Sequence, residues 1–201
     1  HDGNPVIDSA VILEYLEDIL PDTALMRPGN ALDAARMRAM LRFIDEVPTP
    51  AIRIPSYNLA FLPHFRSRSD EEFQALCDSK PLRREFLMRM GRTGFPKTDM
   101  DEALGRLRRG VERMNQWIAE SAGPWIMGRE PTLPDVAIMP VVVRMDDINL
   151  SHLWDDLPNI QPWLDGMRAT PEFGLTFYYG SLLTEKYPNL AKLREQQARV
   201  G

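Results

Sequence analysis

The chain has 201 residues, 44% of them hydrophobic and 26% charged, with a formal net charge of −5 from 24 basic and 29 acidic side chains. That balance describes a globular chain long enough to bury a core, and it excludes full-length disorder, collagen and low-complexity architectures. The acidic excess argues against nucleic acid as the main partner, and no apolar run approaches the ~18 residues of a membrane-spanning helix.

A single cysteine, Cys77, forbids an intrachain disulfide and leaves no thiol-based metal site. His1, His64 and His152 are too scattered to form a metal motif, so no metal, no nucleic acid and no membrane are expected, and a cytoplasmic, reducing environment is the default. The first residue is histidine, and His1-Asp2-Gly3-Asn4-Pro5 reads as a turn of the kind that joins two strands. The expectation is a chain that opens inside a larger unit, with any targeting signal upstream of His1 and unreadable.

Val6-Ile7 is a short extended segment. Directly after it, Val11, Ile12, Tyr15, Leu16, Ile19 and Leu20 repeat at helical spacing and predict one buried face, with Asp8 and Ser9 where a cap should stand. Pro21 ends this helix, and Pro21 to Asn30 reads as a linker. A second helix is predicted from about Leu32 to Val47, with Met37, Met40, Leu41 and Ile44 inward. Pro48, Pro50, Pro55 and Pro63 then break up any long regular helix. Ser69-Asp70-Glu71-Glu72 starts another helix leading to Phe73 and Leu76, and beyond Pro81 stand Phe86, Leu87 and Met90; Gly91 to Lys97 is a loop.

The clearest helix spans 99–121. Met100, Leu104, Leu107, Val111, Met114 and Ile118 form its stripe, and Arg106, Arg108, Arg109 and Arg113 form a solvated face. Residues 132–147 are apolar nearly all round, the pattern of a helix at the centre of a bundle. Short helices near 160–168 and 174–179 precede a polar tail, and from residue 31 on the prediction is all-α.

Two constellations carry chemistry. In the first, Asp8 and Ser9 deliver a carboxylate and a hydroxyl onto a helix N-terminus. Free N–H groups and the positive end of the helix dipole receive a carboxylate there, and Asp8 pairs with an ammonium. The arrangement suits an α-amino acid head group; the competing reading is a plain helix cap worth ~1 kcal/mol. In the second, Thr132 and Asp135 have capping-box spacing, which makes Asp135 structural rather than catalytic. Tyr57, Phe61, His64 and Phe65 either line a pocket for an apolar ligand or pack as core aromatics, and Cys77 reads as a small buried residue rather than a nucleophile.

In this order, the motifs resemble the glutathione S-transferase family over nearly the whole chain. Val6 to Leu16 is similar to the family's last thioredoxin-domain strand and following helix, where an acidic residue and a serine hold the γ-glutamyl end of glutathione; Asp8 and Ser9 fall on those positions. Gly128-x-x-Pro131-Thr132-x-x-Asp135 resembles the family's N-capping box, with Pro131 where isoleucine is usual. Pro158-Asn159-Ile160-x-x-Trp163 and Arg168-Ala169-Thr170-Pro171 are similar to its C-terminal helix pattern. Within the family, the opening His1 to Asn4, the Tyr15-Leu16-Glu17-Asp18 helix and Gly94-Phe95-Pro96 look closest to bacterial β-etherase-like transferases.

The resemblance implies a mainly α fold: a remnant of a thioredoxin-like α/β domain (its last strand and helix) over 1–20, a linker over 21–30 and a helical bundle over 31–201. It implies glutathione as co-substrate, a hydrophobic electrophile such as an aryl ether as substrate, and a homodimer. Glutathione would attack as thiolate. A free thiol of pKa ~8.5 needs ~2 kcal/mol of stabilisation to ionise near pH 7. The group that supplies it in the family is expected upstream of His1, so no residue here is assigned as catalytic. The alternative is a non-catalytic interaction or regulatory protein of the same fold.

Overall fold

The computed structural model describes residues 1–20 and 26–190. The stop expected at Pro21, half of the predicted linker and the polar tail beyond 190 lie outside the described residues. No strand forms at Val6-Ile7, which corrects the expectation of a terminal strand. A strand exists only in a ladder, and the described residues offer no other strand, only an isolated bridge between Trp125 and Gly128.

The remaining elements are helical. In order they are α1 (Ser9–Ile19), α2 (Ala31–Glu46), α3 (Pro48–Ala51), α4 (Arg53–Ser56), a π-helical turn (Tyr57–Phe61) and α5 (Leu62–Arg66). Next come α6 (Asp70–Asp78), a 3-10 turn (Pro81–Arg83), α7 (Arg84–Met90) and α8 (Lys97–Glu120). The chain continues with α9 (Leu133–Asp147), a second 3-10 turn (Ser151–Trp154), α10 (Ile160–Arg168), α11 (Pro171–Thr176) and α12 (Leu183–Lys186).

The proline-rich stretch after α2 stays helical but is cut into short pieces. Each proline sits where its missing N–H costs least or where the register changes, as the π turn does. Gly110 of α8 packs on Pro48 so closely that a β carbon there would lie 2.9 Å from the proline side chain. The predicted stripe of α8 is buried through Leu107, Val111, Met114 and Ile118, joined by Ala103, Gly110 and Trp117. Its arginine face is partly engaged within the chain. Arg108 holds both Asp156 carboxylate oxygens and the Leu153 carbonyl at 2.5–2.8 Å, while Arg106 donates to the Glu46 carbonyl.

Helix α9 is the axis of the domain. Ile138, Val141, Val142, Val143 and Met145 are all buried, and α9 packs on α1, α2, α3 and α10, as an all-round apolar helix requires. At its end the buried Asp147 carboxylate accepts from the Leu183 and Thr184 N–H groups at 2.7 and 3.1 Å and so caps α12. A satellite core of Phe73, Cys77, Leu87, Met90 and Phe95 fills the space between α6 and α7. It is fastened to the π turn by Asn58, which donates to the Phe95 carbonyl at 2.9 Å and accepts its N–H at 2.8 Å.

Helix α1 corrects a second expectation. Val11, Ile12, Leu16, Ile19 and Leu20 face outward, at 54, 38, 42, 39 and 49% exposure, and Tyr15 is half-buried. The side that packs on the domain is Ala10 and Leu13, against Met37, Leu41 and Leu133. Glu17 is buried on that side and accepts the Met26 N–H at 3.4 Å. Helical spacing identifies an apolar face but not the surface that covers it, and two ion pairs also tie α1 to the chain that follows. Glu14 meets Arg38 of α2 at 2.8 Å, and Asp18 meets Arg27 at 2.7 Å. Among the described residues no helix is long and apolar enough to cross a membrane.

Candidate functional site

Asp8 caps α1. Its Oδ1 accepts the N–H groups of Ala10 and Val11 at 3.1 and 3.2 Å, and its own carbonyl accepts that of Ile12. Two of the N–H groups expected to be free for a ligand are therefore taken by the cap. What stays open at the helix start is Ser9, its first residue, with an exposed side chain, and the second carboxylate oxygen of Asp8.

The backbone of Asp8 lies at φ 76°, ψ 127°, a region that side chains other than glycine rarely adopt. Such a conformation costs about 1–3 kcal/mol, and strain of this kind clusters where geometry serves a site. Helix α2 runs antiparallel to α1, so Glu14 meets Arg38 in its middle, and the charge of Asp8 is felt at Asp45 near its end. Burial pushes the Asp45 carboxyl above the usual range, and the negative charge of Asp8 pushes it further, while Arg42 draws it back. A capping carboxylate beside a serine at a helix start, with a second carboxylate near enough to feel its charge, forms a place that gains from an added ammonium. Asp45 escaped the sequence reading because nothing local marks it; only the antiparallel packing brings it to Asp8.

Thr132 and Asp135 meet at the start of α9. Asp135 Oδ2 accepts from the Thr132 N–H and the Thr132 hydroxyl, both at 2.8 Å. Its Oδ1 accepts from the Ile126 N–H at 3.0 Å and the Trp163 indole at 2.8 Å. Burial drives this carboxyl upward and the four donors pull it back only in part. With every lone-pair direction committed inside the protein, Asp135 joins α9, α10 and the 125–128 loop and offers nothing to a substrate.

The aromatic segment forms a chain of rings. Tyr57 lies 4.9 Å from Phe61 and from Phe86 and stacks on Phe65 at 6.2 Å; Phe61 meets Tyr187 edge-on at 5.1 Å, and His64 sits 4.7 Å from Tyr187. Most of these faces are spent on one another, although Tyr57 also lines an open hollow with Arg53 and Phe86. Cys77 is fully buried, and burial first, then the charge of Asp78, push its thiol up. It is not a poised nucleophile. Among the described residues no group of three His, Cys, Asp or Glu side chains is placed to hold a metal.

Residues 97–166, from the start of α8 to most of α10, match the family described as "Glutathione S-transferase, C-terminal domain". The chain is 25% identical over 182 residues to protein LigF of Sphingobium sp. (strain NBRC 103272 / SYK-6), covering 85% of this chain and 68% of LigF. The crystal structure of the β-etherase LigF superposes with a TM-score of 0.76 at 24% identity, over 88% of this chain and 75% of that one. A glutathione S-transferase from Rhodospirillum rubrum superposes with a TM-score of 0.59 at 17% identity, over 86% and 64%. One from Methylobacterium radiotolerans, solved in complex with glutathione sulfonate, gives 0.58 at 17%, over 86% and 66%. The resemblance to the glutathione S-transferase family is therefore shown, and the helical bundle has the fold of that family's C-terminal domain.

Proposed function

We propose that the protein is a glutathione-dependent transferase that delivers the glutathione thiolate to the electrophilic carbon of a hydrophobic substrate, an aryl ether by likeness to the β-etherase LigF. The observation that carries the glutathione reading is the start of α1. Asp8 is held in a strained backbone, its charge reaches Asp45, and Ser9 stands exposed at the helix terminus. In this reading the Ser9 hydroxyl and N–H bind the γ-glutamyl carboxylate, Asp8 binds the ammonium, and Asp45 adds negative charge beside it. No residue of 1–201 is assigned the role of stabilising the thiolate.

Residues 1–20 belong, in the same proposal, to a thioredoxin-like unit whose other elements cover the exposed apolar side of α1. A cytoplasmic homodimer completes it. Thr132 and Asp135 have no part in the chemistry beyond holding α9.

Calorimetry of the 201-residue chain with glutathione tests the site. Binding weaker than micromolar is expected, because part of the receptor lies elsewhere, and it should disappear in an Asp8→Ala, Ser9→Ala double variant. Retention on immobilised glutathione that ignores the double change overturns the assignment. A chain that shows neither binding nor thiol transfer in any longer form supports the non-catalytic alternative instead.

A further inference from the structure

The open hollow beside Tyr57 has the composition of an anion site built on rings. Its volume is about 350 Å³, within the range of small-molecule sites, and it is lined by Arg53, Tyr57, Leu82, Arg83 and Phe86. Arg53 and Tyr57 stand one helical turn apart across α4 and the π turn, and Phe86 of α7 meets the Tyr57 ring edge-on at 4.9 Å. Phe86 is braced in turn by Phe95, 4.9 Å away. Leu82 and Arg83 come from the 3-10 turn, which is closed by the Arg83 N–H donating to the Lys80 carbonyl at 2.9 Å. Leu82 is fully exposed at the rim.

The charge balance singles this hollow out. Neighbouring cations are neutralised: Arg84 by Asp78 at 2.8 Å, Arg89 by Asp99 at 2.6 Å and Arg92 by Asp70 at 2.5 Å. Among the described residues neither the Arg53 nor the Arg83 guanidinium has an ion pair or a hydrogen bond. An adjoining hollow of about 240 Å³ shares Arg53 and Phe86, but its other charged residues, Arg89, Asp99, Glu102 and Arg106, are of both signs, whereas the charged lining on the Tyr57 side is Arg53 and Arg83. In a chain of net charge −5, two guanidiniums lining one hollow with two aromatic rings form a local inversion of sign.

We infer that this hollow binds a small aromatic monocarboxylate. The ring of the ligand lies against Phe86 and Tyr57, with Leu82 closing over its edge, and its carboxylate takes the Arg53 and Arg83 guanidiniums. A simple inorganic anion uses only the charge, and a neutral arene uses only the rings. The carboxylated arene uses both.

Titration of the 201-residue chain with cinnamate, followed by calorimetry or by NMR, tests the site. A dissociation constant on the order of 1 mM or tighter is expected, with acetate and neutral cinnamamide each weaker by about 10-fold or more. Arg53→Gln and Arg83→Gln should each weaken cinnamate by about 10-fold, and because both side chains are exposed their melting temperatures should stay with the parent. Equal binding of acetate and cinnamate, or unchanged binding in both glutamine variants, overturns the inference. The Asp8→Ala, Ser9→Ala variant should bind cinnamate unchanged; a loss there would place the acid at the α1 site and also overturn it. Failure of glutathione binding leaves this result untouched, so the two readings fall separately.

Discussion

Helices α1 and α9 are both rich in apolar residues, yet one leaves a face in solvent and the other leaves none. Val11 and Leu16 of α1 are 54 and 42% exposed, whereas Ile138 and Val142 of α9 are 1 and 0% exposed. The caps differ in the same sense. Asp8 satisfies two N–H groups of its own helix at the surface, in a strained backbone. Asp135 satisfies donors from three parts of the chain in the interior. A cap bonded only to its own helix is dispensable to the domain, and one that joins several elements is not. The α1 terminus is thus able to serve a ligand, while the α9 terminus serves the fold.

The sharpest way to break this contrast is to remove the two caps. Asp135→Ala leaves the Ile126, Thr132 and Trp163 donors buried without an acceptor, each worth about 1–3 kcal/mol, so a loss of about 3–5 kcal/mol is expected in urea melts. A loss below about 1 kcal/mol would show that the carboxylate is not the joint described here. Next in size is a matched pair of truncations. Ile138→Ala should cost about 2–4 kcal/mol through transfer and cavity terms, and Leu16→Ala less than about 1 kcal/mol in this chain. Equal midpoints for the two would mean that the α1 face is covered after all.

The smallest effect separates cap from strain at Asp8. Asp8→Ala removes both cap bonds but keeps a β carbon in the φ 76° backbone, and about 1–2 kcal/mol should be lost. Asp8→Gly loses the same bonds but relieves the backbone, and should melt closer to the parent by about 1 kcal/mol. Coincident melts of the alanine and glycine variants would contradict the strained conformation.

Periodic segments were the most legible part of the chain. The striped helix predicted over 99–121 and the all-round apolar run of 132–147 correspond to α8 and α9 within two residues at each end, because burial on one face or on every face leaves its period in the sequence. The prolines after α2 announced breaks but not that the pieces would remain helical around a π turn. At the α1 start, Asp8 and Ser9 were visible as a capping pair, whereas Asp45, whose carboxyl feels the Asp8 charge from another helix, was not. The Arg53–Phe86 hollow was equally invisible, its walls coming from positions 30 residues apart.

The sequence by itself determined the helices, the cap positions and the resemblance to the glutathione S-transferase family, because hydrophobic period, capping chemistry and motif order are local properties. Tertiary structure decided the rest. It turned the predicted inner face of α1 outward, left Val6-Ile7 without a ladder, gave Asp135 its four donors and gathered two guanidiniums and two rings around one hollow. Those outcomes depend on which distant groups come within bonding distance, and a one-dimensional pattern records what each residue needs without naming the residue that will supply it.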